Sequence, residues 1–407
     1  MTKSQTRFGI ISVLGIMSNS VGWKNPGIFG GAEIRSVEVL KRWHRHGVLI
    51  ETIEGPPFPS IVYRNRYGVY TINLPSGKNF GRIVSCCALW LVKVFMKIIH
   101  LKLNGKRYNI IVALNSLLSD VLLSFIASKL FKCPFVVIIQ NTGIKRELGS
   151  LYLTTRVRER GIINSIFWAI SAIITLRLIR SSSAIICLSA TSAQELLRAG
   201  IPNHKIYISG MGLELEEIQQ TPPSEEKYDC AYMGRIEATK GIFDLLRAWL
   251  IVVKERPNAK LVIIGSGSDF ETAKLFTIRH NIAKNVDFKG FIGTALRFSY
   301  LKSSKVFVAP IKGQEGWGLV IAEAIACGTS VICYDNLVFK EIFGDLVTFI
   351  PCENIYLLAN TVLHSLEKNH QKKNLNFLDR LKQFDWDYIA MHDLEVVSSL
   401  LLLQKKK

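Results

Sequence analysis

The chain has 407 residues, 49% of them hydrophobic and 20% charged, which is ample for two cores and excludes a disordered or fibrous protein. Its formal net charge of +19 lies wholly in one half: residues 1–210 carry 27 Lys and Arg against 8 Asp and Glu, whereas residues 211–407 carry 24 of each. Eight cysteines fall mostly in apolar runs, with no C-x-x-C pair and no histidine cluster, which speaks against a zinc module or a disulfide framework and for reduced core residues.

In chain order, Lys3 and Arg7, an apolar run from Phe8 to Met17 and then Ser18-Asn19-Ser20 imitate a signal peptide. A glycine loop and a helix follow in register, however, so the run is better read as a buried strand at 8–14. Further strands are expected at 48–53, 69–73, 109–114, 135–139 and 184–188, with helices at 32–46, 119–130 and 192–199 between them. Such alternation predicts a parallel sheet covered by helices.

Two apolar stretches raise the question of a membrane. The first, 84–101, has Lys93 and Lys97 in its middle, and each would cost about 2.5–3.5 kcal/mol at a bilayer centre. The second, 162–176, is uncharged but too short to span untilted; Arg156, Arg158 and Arg160 precede it and Arg177 and Arg180 follow. Each reads either as a helix packed on the sheet or as an interfacial helix. A linker rich in Glu, Pro and Ser is expected over 211–227.

The second half repeats the pattern, with strands at 230–233, 260–264, 286–288, 306–309 and 330–333 and helices at 241–254, 268–280 and 318–326. The last helix, near 387–403, is apolar enough to pack back on the first half. The expected organisation is therefore a basic domain over 1–210, the linker, a second domain over 228–384 and a C-terminal helical segment over 385–407.

The most informative stretch is Glu315-Gly316-Trp317-Gly318-Leu319-Val320-Ile321-Ala322-Glu323-Ala324. A strand, a glycine loop and a helix N-terminus together offer free backbone N–H groups to an anion. Glu315 before the helix and Glu323 inside it reach different parts of one ligand, and a phosphate flanked by hydroxyls describes a nucleotide sugar. Glu323 on an otherwise apolar helix could be capped or salt-bridged, but an unpaired buried glutamate is costly enough to favour a ligand. A second cluster, Gly234-Arg235-Ile236-Glu237-Ala238-Thr239-Lys240-Gly241, follows a strand and places two cations where a diphosphate would lie.

Together with Leu261-Val262-Ile263-Ile264-Gly265-Ser266-Gly267 and Ala326-Cys327-Gly328-Thr329, these motifs resemble glycosyltransferase family 4, the group 1 nucleotide-sugar transferases. The resemblance is specific over 225–345, fair over the first half through Gly30-Gly31-Ala32-Glu33, and weak between 55 and 107. It implies an α/β fold of the GT-B type: two Rossmann-like doubly wound domains facing across a cleft, with the C-terminal helix crossing back. It further implies that Glu323 binds the ribose hydroxyls and Glu315 the transferred sugar, while Gly316, Trp317, Gly318, Leu319 and Val320 cradle sugar and phosphate. Arg235 and Lys240 would neutralise the leaving diphosphate, and Gly234, Gly265 and Gly267 would let the nucleotide lie close to the sheet. Phe291 would flank the base, and Gly30 and Gly31 would approach the donor phosphates. Trp317, where the family often has Phe, reads equally as packing or as a sugar platform. The family often places His after the strand at 135–139; here Gln140-Asn141 stand instead, amides that can contact sugar or acceptor but cannot act as a base.

The expected function is a retaining hexosyltransferase that needs no metal or other cofactor. It would take a nucleoside-diphosphate sugar to a glycan or lipid-linked acceptor at the inner face of the cell membrane. Peripheral contact with anionic lipid is expected, and nucleic acid is not. A non-catalytic nucleotide-sugar binder and a basic nucleic-acid-binding protein are the alternatives.

Overall fold

The computed structural model describes residues 11–17, 30–55, 68–72, 80–140, 162–313, 315–367 and 381–405. Two compact units result, one made of residues 1–212 with 386–407 and the other of residues 213–385.

In the first unit the strands are β1 (Ser12–Met17), β2 (Leu49–Glu54), β3 (Gly68–Thr71), β4 (Ile110–Ala113), β5 (Phe135–Ile139), β6 (Ala184–Cys187) and β7 (Ile206–Ile208). Its helices are α1 (Gly31–Arg45), α2 (Phe80–Leu103), α3 (Leu118–Phe131), α4 (Ile162–Arg180) and α5 (Ala190–Arg198). The seven parallel strands run in the order β3-β2-β1-β4-β5-β6-β7. Helices on both faces explain why the central strands are nearly continuous apolar runs: all of β4, β5 and β6 is buried.

The second unit holds α6 (Leu215–Gln220), β8 (Tyr228–Met233), α7 (Ile242–Glu255), β9 (Leu261–Ile264), α8 (Phe270–Arg279), β10 (Val286–Gly290), α9 (Thr294–Lys302) and β11 (Ser304–Ala309). It continues with α10 (Leu319–Ala326), β12 (Ser330–Tyr334), α11 (Leu337–Phe343), β13 (Val347–Ile350) and α12 (Ile355–Glu367). Six parallel strands run β10-β9-β8-β11-β12-β13. Trp249, Leu245 and Leu246 of α7 pack with Leu358 and Val362 of α12 in one core against the strands.

The final helix, α13 (Trp386–Lys405), belongs to the first unit and lies on α1. Arg35 donates to Asp393 at 2.7 Å with both side chains wholly buried, and Trp43 Nε1 donates to the carbonyl of Ala390 at 2.7 Å. These bonds fix the helix where a purely apolar stripe would allow it to slide.

Several expectations are corrected. The first strand runs on to Met17 and is an interior strand paired with β2 and β4, so residues 12–17 of the signal-like stretch are fold; residues 8–10 lie outside the described part. The supposed linker contains α6. Strands β7 and β13 and helices α9 and α11 carry no clear periodicity of their own and gain their form from packing, whereas α12, with Leu358, Ala359, Val362 and Leu366 on its buried side, has a helical pattern that the sequence reading missed. Of the two apolar stretches, 84–101 lies inside α2, whose Trp90, Val94 and Ile98 pack on the sheet, and 162–176 lies inside α4. No helix among the described residues is long and apolar enough to cross a membrane.

Candidate donor site in the second unit

The strand order of the second sheet reverses between β8 and β11, and in open parallel sheets ligands bind beyond the carboxyl ends of strands at such a point. Two loops leave the sheet there: 234–241 after β8 and 310–318 after β11. They are tied together, since the Lys312 N–H donates to the Thr239 carbonyl at 3.1 Å. The Lys312 ammonium reaches Asp244 and Glu353, each at 2.9 Å, and Asp244 also accepts from the Tyr334 hydroxyl at 2.9 Å. Sequence reasoning missed Lys312, whose neighbours give no local signal of this role.

Glu315 and Lys240, 75 positions apart, form a direct ion pair with both side chains about four-fifths buried. Arg235 lies at the mouth of the same loop and donates to both oxygens of Glu237, at 3.0 and 3.1 Å, in an exposed pair of small energetic weight.

After Glu315 the chain turns through Gly316 and Trp317 into α10. Gly318 precedes the helix with φ of 103°, a left-handed conformation that glycine adopts without strain. The helix has no side-chain cap and no acidic residue in its first turn. The N–H groups of Leu319 and Val320 have no carbonyl four residues back within the helix, and the positive end of the helix dipole is not offset by a carboxylate in that turn.

Glu323 is buried and salt-bridged, the alternative that its place on an apolar helix left open: Arg297 of α9 donates to it at 2.6 Å. Burial is the main influence on this carboxyl and pushes its pKa above the ordinary 4.5; Arg297 pulls the other way and Glu217 adds to the rise. Nothing in the spacing marks Arg297, which meets Glu323 only because α9 and α10 pack together. The second oxygen of Glu323 accepts no hydrogen bond from the described residues.

Three other expected residues play different parts. Trp317 is buried between Phe343 and Phe384, ring centroids 5.8 and 5.0 Å away, so its side chain packs the unit and offers no sugar platform. Gly265 and Gly267 serve the protein's own backbone: an added Cβ would lie 1.9 Å from the Gly234 carbonyl oxygen and 2.3 Å from that of Ile236. They therefore let the 265–267 loop press against the 234–236 loop, and the nucleotide is not what demands them. Phe291, on the loop after β10, is 69% exposed and available to a base.

In the first unit, Gly30 caps α1 and Gly31 begins it; the Gly30 N–H donates to the Glu33 carboxylate at 2.8 Å, so this anion-binding group is already used. The Gln140 amide donates to the carbonyls of Ala32 at 2.9 Å and Leu114 at 3.3 Å. It rivets the first turn of α1 to the strand ends, and both amide hydrogens are spent there rather than on a sugar. Asn141 lies outside the described residues.

Residues 214–380 match the family model described as "Glycosyl transferases group 1". A phosphatidyl-myo-inositol mannosyltransferase of Mycolicibacterium smegmatis is 26% identical over 174 residues, 42% of this chain and 44% of that protein. The O-antigen chain mannosyltransferase B of Escherichia coli is 24% identical over 223 residues, covering 51% and 58%. The match thus spans less than half the length of the mycobacterial relative. Among solved structures, the Anabaena protein HepE in complex with UDP and glucose superposes with a TM-score of 0.70 at 16% identity, over 96% of this chain and all of that one. Over residues 214–380 the second unit is thus similar to the group 1 glycosyltransferases, and the two Rossmann-like sheets give the chain a fold of the GT-B type.

Proposed function

We propose that the protein is a retaining, metal-independent glycosyltransferase. It would move a hexose-type sugar from a nucleoside diphosphate to a glycan or lipid-linked acceptor at the inner face of the cell membrane. The observation that carries this reading is the Lys240–Glu315 pair set beside the uncapped N-terminus of α10. Such a pair can divide over one substrate: the ammonium turns to the diphosphate, and the carboxylate accepts from sugar hydroxyls. The Leu319 and Val320 N–H groups add fixed dipoles to the same anion, and Glu323, held by Arg297, keeps an oxygen for a ribose hydroxyl.

In the reaction the bond from C1 to the phosphate oxygen breaks and the electron pair leaves with the diphosphate. The acceptor oxygen joins C1 on the same face, and its proton passes to a diphosphate oxygen. Charge grows on the diphosphate as the bond breaks, so fixed cations and N–H dipoles favour the transition state over the ground state. Arg235 and Lys240 supply that charge from the chain itself, which supports chemistry without a metal. The mannosyltransferase relatives and the basic first half support a lipid-linked acceptor.

Donor hydrolysis or transfer measured over a panel of nucleotide sugars tests this. Lys240→Ala and Glu315→Ala should each lower turnover about a hundredfold or more, the order expected for removing one charge-stabilising donor. Nucleotide-sugar binding without turnover in the wild type would refute catalysis and leave a sensor. Turnover unaffected by both substitutions would refute the assigned site. Anomeric analysis of the product by NMR decides retention, and activity after exhaustive chelation decides metal independence.

A further inference from the structure

Helices α2, α3 and α4 lie side by side on one face of the first sheet, with α3 touching both neighbours. Their inner side chains, among them Trp90, Val121 and Ile179, share one core with the strands. Their outer side chains are the anomaly. On α2, Val92 and Met96 are 61% and 62% exposed and Phe95 is exposed beside them; on α4, Ile166, Ile170 and Ile174 form a second exposed stripe one helical turn apart per step.

Among the described residues, the exposed charge on these three helices has a single sign. Helices α2 and α4 contain no acidic residue at all. The one acid of α3, Asp120, is buried and accepts from the Trp90 indole at 3.2 Å. Lys102, Lys129 and Arg177 are exposed on the same three helices. An ordinary soluble helix mixes both signs on its solvent face; this layer mixes cations with bare isoleucine, valine and methionine.

We infer that the outer face of α2, α3 and α4 is the surface by which this protein lies on an anionic lipid bilayer, a proposal that rests on the lipid-linked-acceptor reading. Apolar side chains of this kind enter the boundary between headgroups and acyl chains while lysine and arginine remain at the phosphates. The helices lie on the membrane rather than through it, because none is apolar enough to span. A second copy of the chain is a poor occupant: a twofold contact through these helices would set cation against cation, and among their described residues no exposed acid answers it.

The test uses the full chain and vesicles of phosphatidylcholine, alone or with about a third phosphatidylglycerol. Flotation should show binding to the anionic vesicles, falling about fivefold for each cation whose contact is lost, and strongly weakened by high salt. The double variant Ile170→Glu/Ile174→Glu should bind at least about tenfold more weakly, with an unchanged melting temperature. Leu275→Glu/Ile278→Glu, an exposed apolar pair on α8 of the other unit, should bind like the wild type. If the α4 variant does not hold its melting temperature, Met96→Glu on α2 replaces it and must show the same loss. Equal binding to neutral and anionic vesicles, or full binding by the α4 or α2 variant, overturns the proposal. So does a wild-type dimer in solution that the α4 variant converts to monomer. Thermal stabilisation by nucleotide sugars, measured without vesicles, reads the second unit alone, so failure of the membrane face and failure of the transferase reading are told apart.

Discussion

Replacing Arg297 by Met removes the only hydrogen-bonding partner, among the described residues, of a carboxylate that is 5% exposed. Breaking a buried pair from one side costs about 3–5 kcal/mol, and the partial exposure of Arg297 argues for the lower end, about 3 kcal/mol. In a unit of this size each 1 kcal/mol moves the melting temperature by about 2–4 °C, so the second unit should melt about 6–12 °C lower near neutral pH. The pH dependence identifies the cause. Burial holds the Glu323 pKa above 4.5, so between 4.5 and its folded value the native state binds more protons than the unfolded state, and stability falls as pH rises through that window. Removing Arg297 takes away the one influence that lowers this pKa, which extends the window upward. The variant's deficit should therefore be largest at neutral pH and shrink as the medium is acidified towards 4.5. Adding Glu323→Gln to Arg297→Met should recover most of the loss. Differential scanning calorimetry of the wild type and both variants across this range measures all of it. A deficit independent of pH, or a double variant no more stable than Arg297→Met, would refute the reasoning.

Gly265→Ala should cost about 3–5 kcal/mol in calorimetry, because its φ is 136° and its Cβ would meet the Gly234 carbonyl at 1.9 Å, whereas Gly290→Ala, with φ of 68° and open space around it, should cost only about 1–2 kcal/mol. Lys312→Ala should destabilise the second unit by about 1–3 kcal/mol by depriving buried Asp244 of its ammonium, and Lys312→Arg should restore part of the loss in the same melting experiment. Arg35→Met should cost about 3–5 kcal/mol and loosen α13, visible as faster amide exchange over that helix. Burial pushes Asp393 up, but Arg35, His392 and Ser209 outweigh it and hold the carboxyl below 3.8. The pair's contribution is thus present above pH 3.8 and fades as pH falls through the lower folded value, a fading that the variant should lack.

The elements that could be read from the chain are those whose pattern is local. Buried parallel strands such as Phe135–Ile139 and Leu261–Ile264 announce themselves as short apolar runs, and α7 and α10 by the glycines before them. Strand β13 and helix α11 escaped because short half-exposed segments owe their form to the surface they pack on, whereas α12 was legible in its Leu358, Ala359, Val362 and Leu366 spacing and was overlooked. At the site, the Glu315 to Glu323 spacing and the position of Lys240 were legible, since a strand, a glycine turn and a helix N-terminus follow one another in sequence. The partners were not. Arg297 stands 26 positions before Glu323, Lys240 stands 75 before Glu315, and only the stacking of β8, β11 and the helices between them brings each pair together.

The sequence by itself determined the class of fold, the anion-binding turn and the unequal charge of the two halves, because each depends on neighbours in the chain or on composition. Tertiary structure decided which groups are spent and which remain. It committed Trp317 to packing, Gln140 to a backbone rivet and Gly265 to a backbone contact, and it gave Glu323 an arginine. It also turned the inner faces of α2, α3 and α4 onto the sheet and left apolar side chains outside, with no exposed acid among the described residues of these helices. Those are questions of what lies within a few ångströms across the fold, and no spacing along the chain measures that.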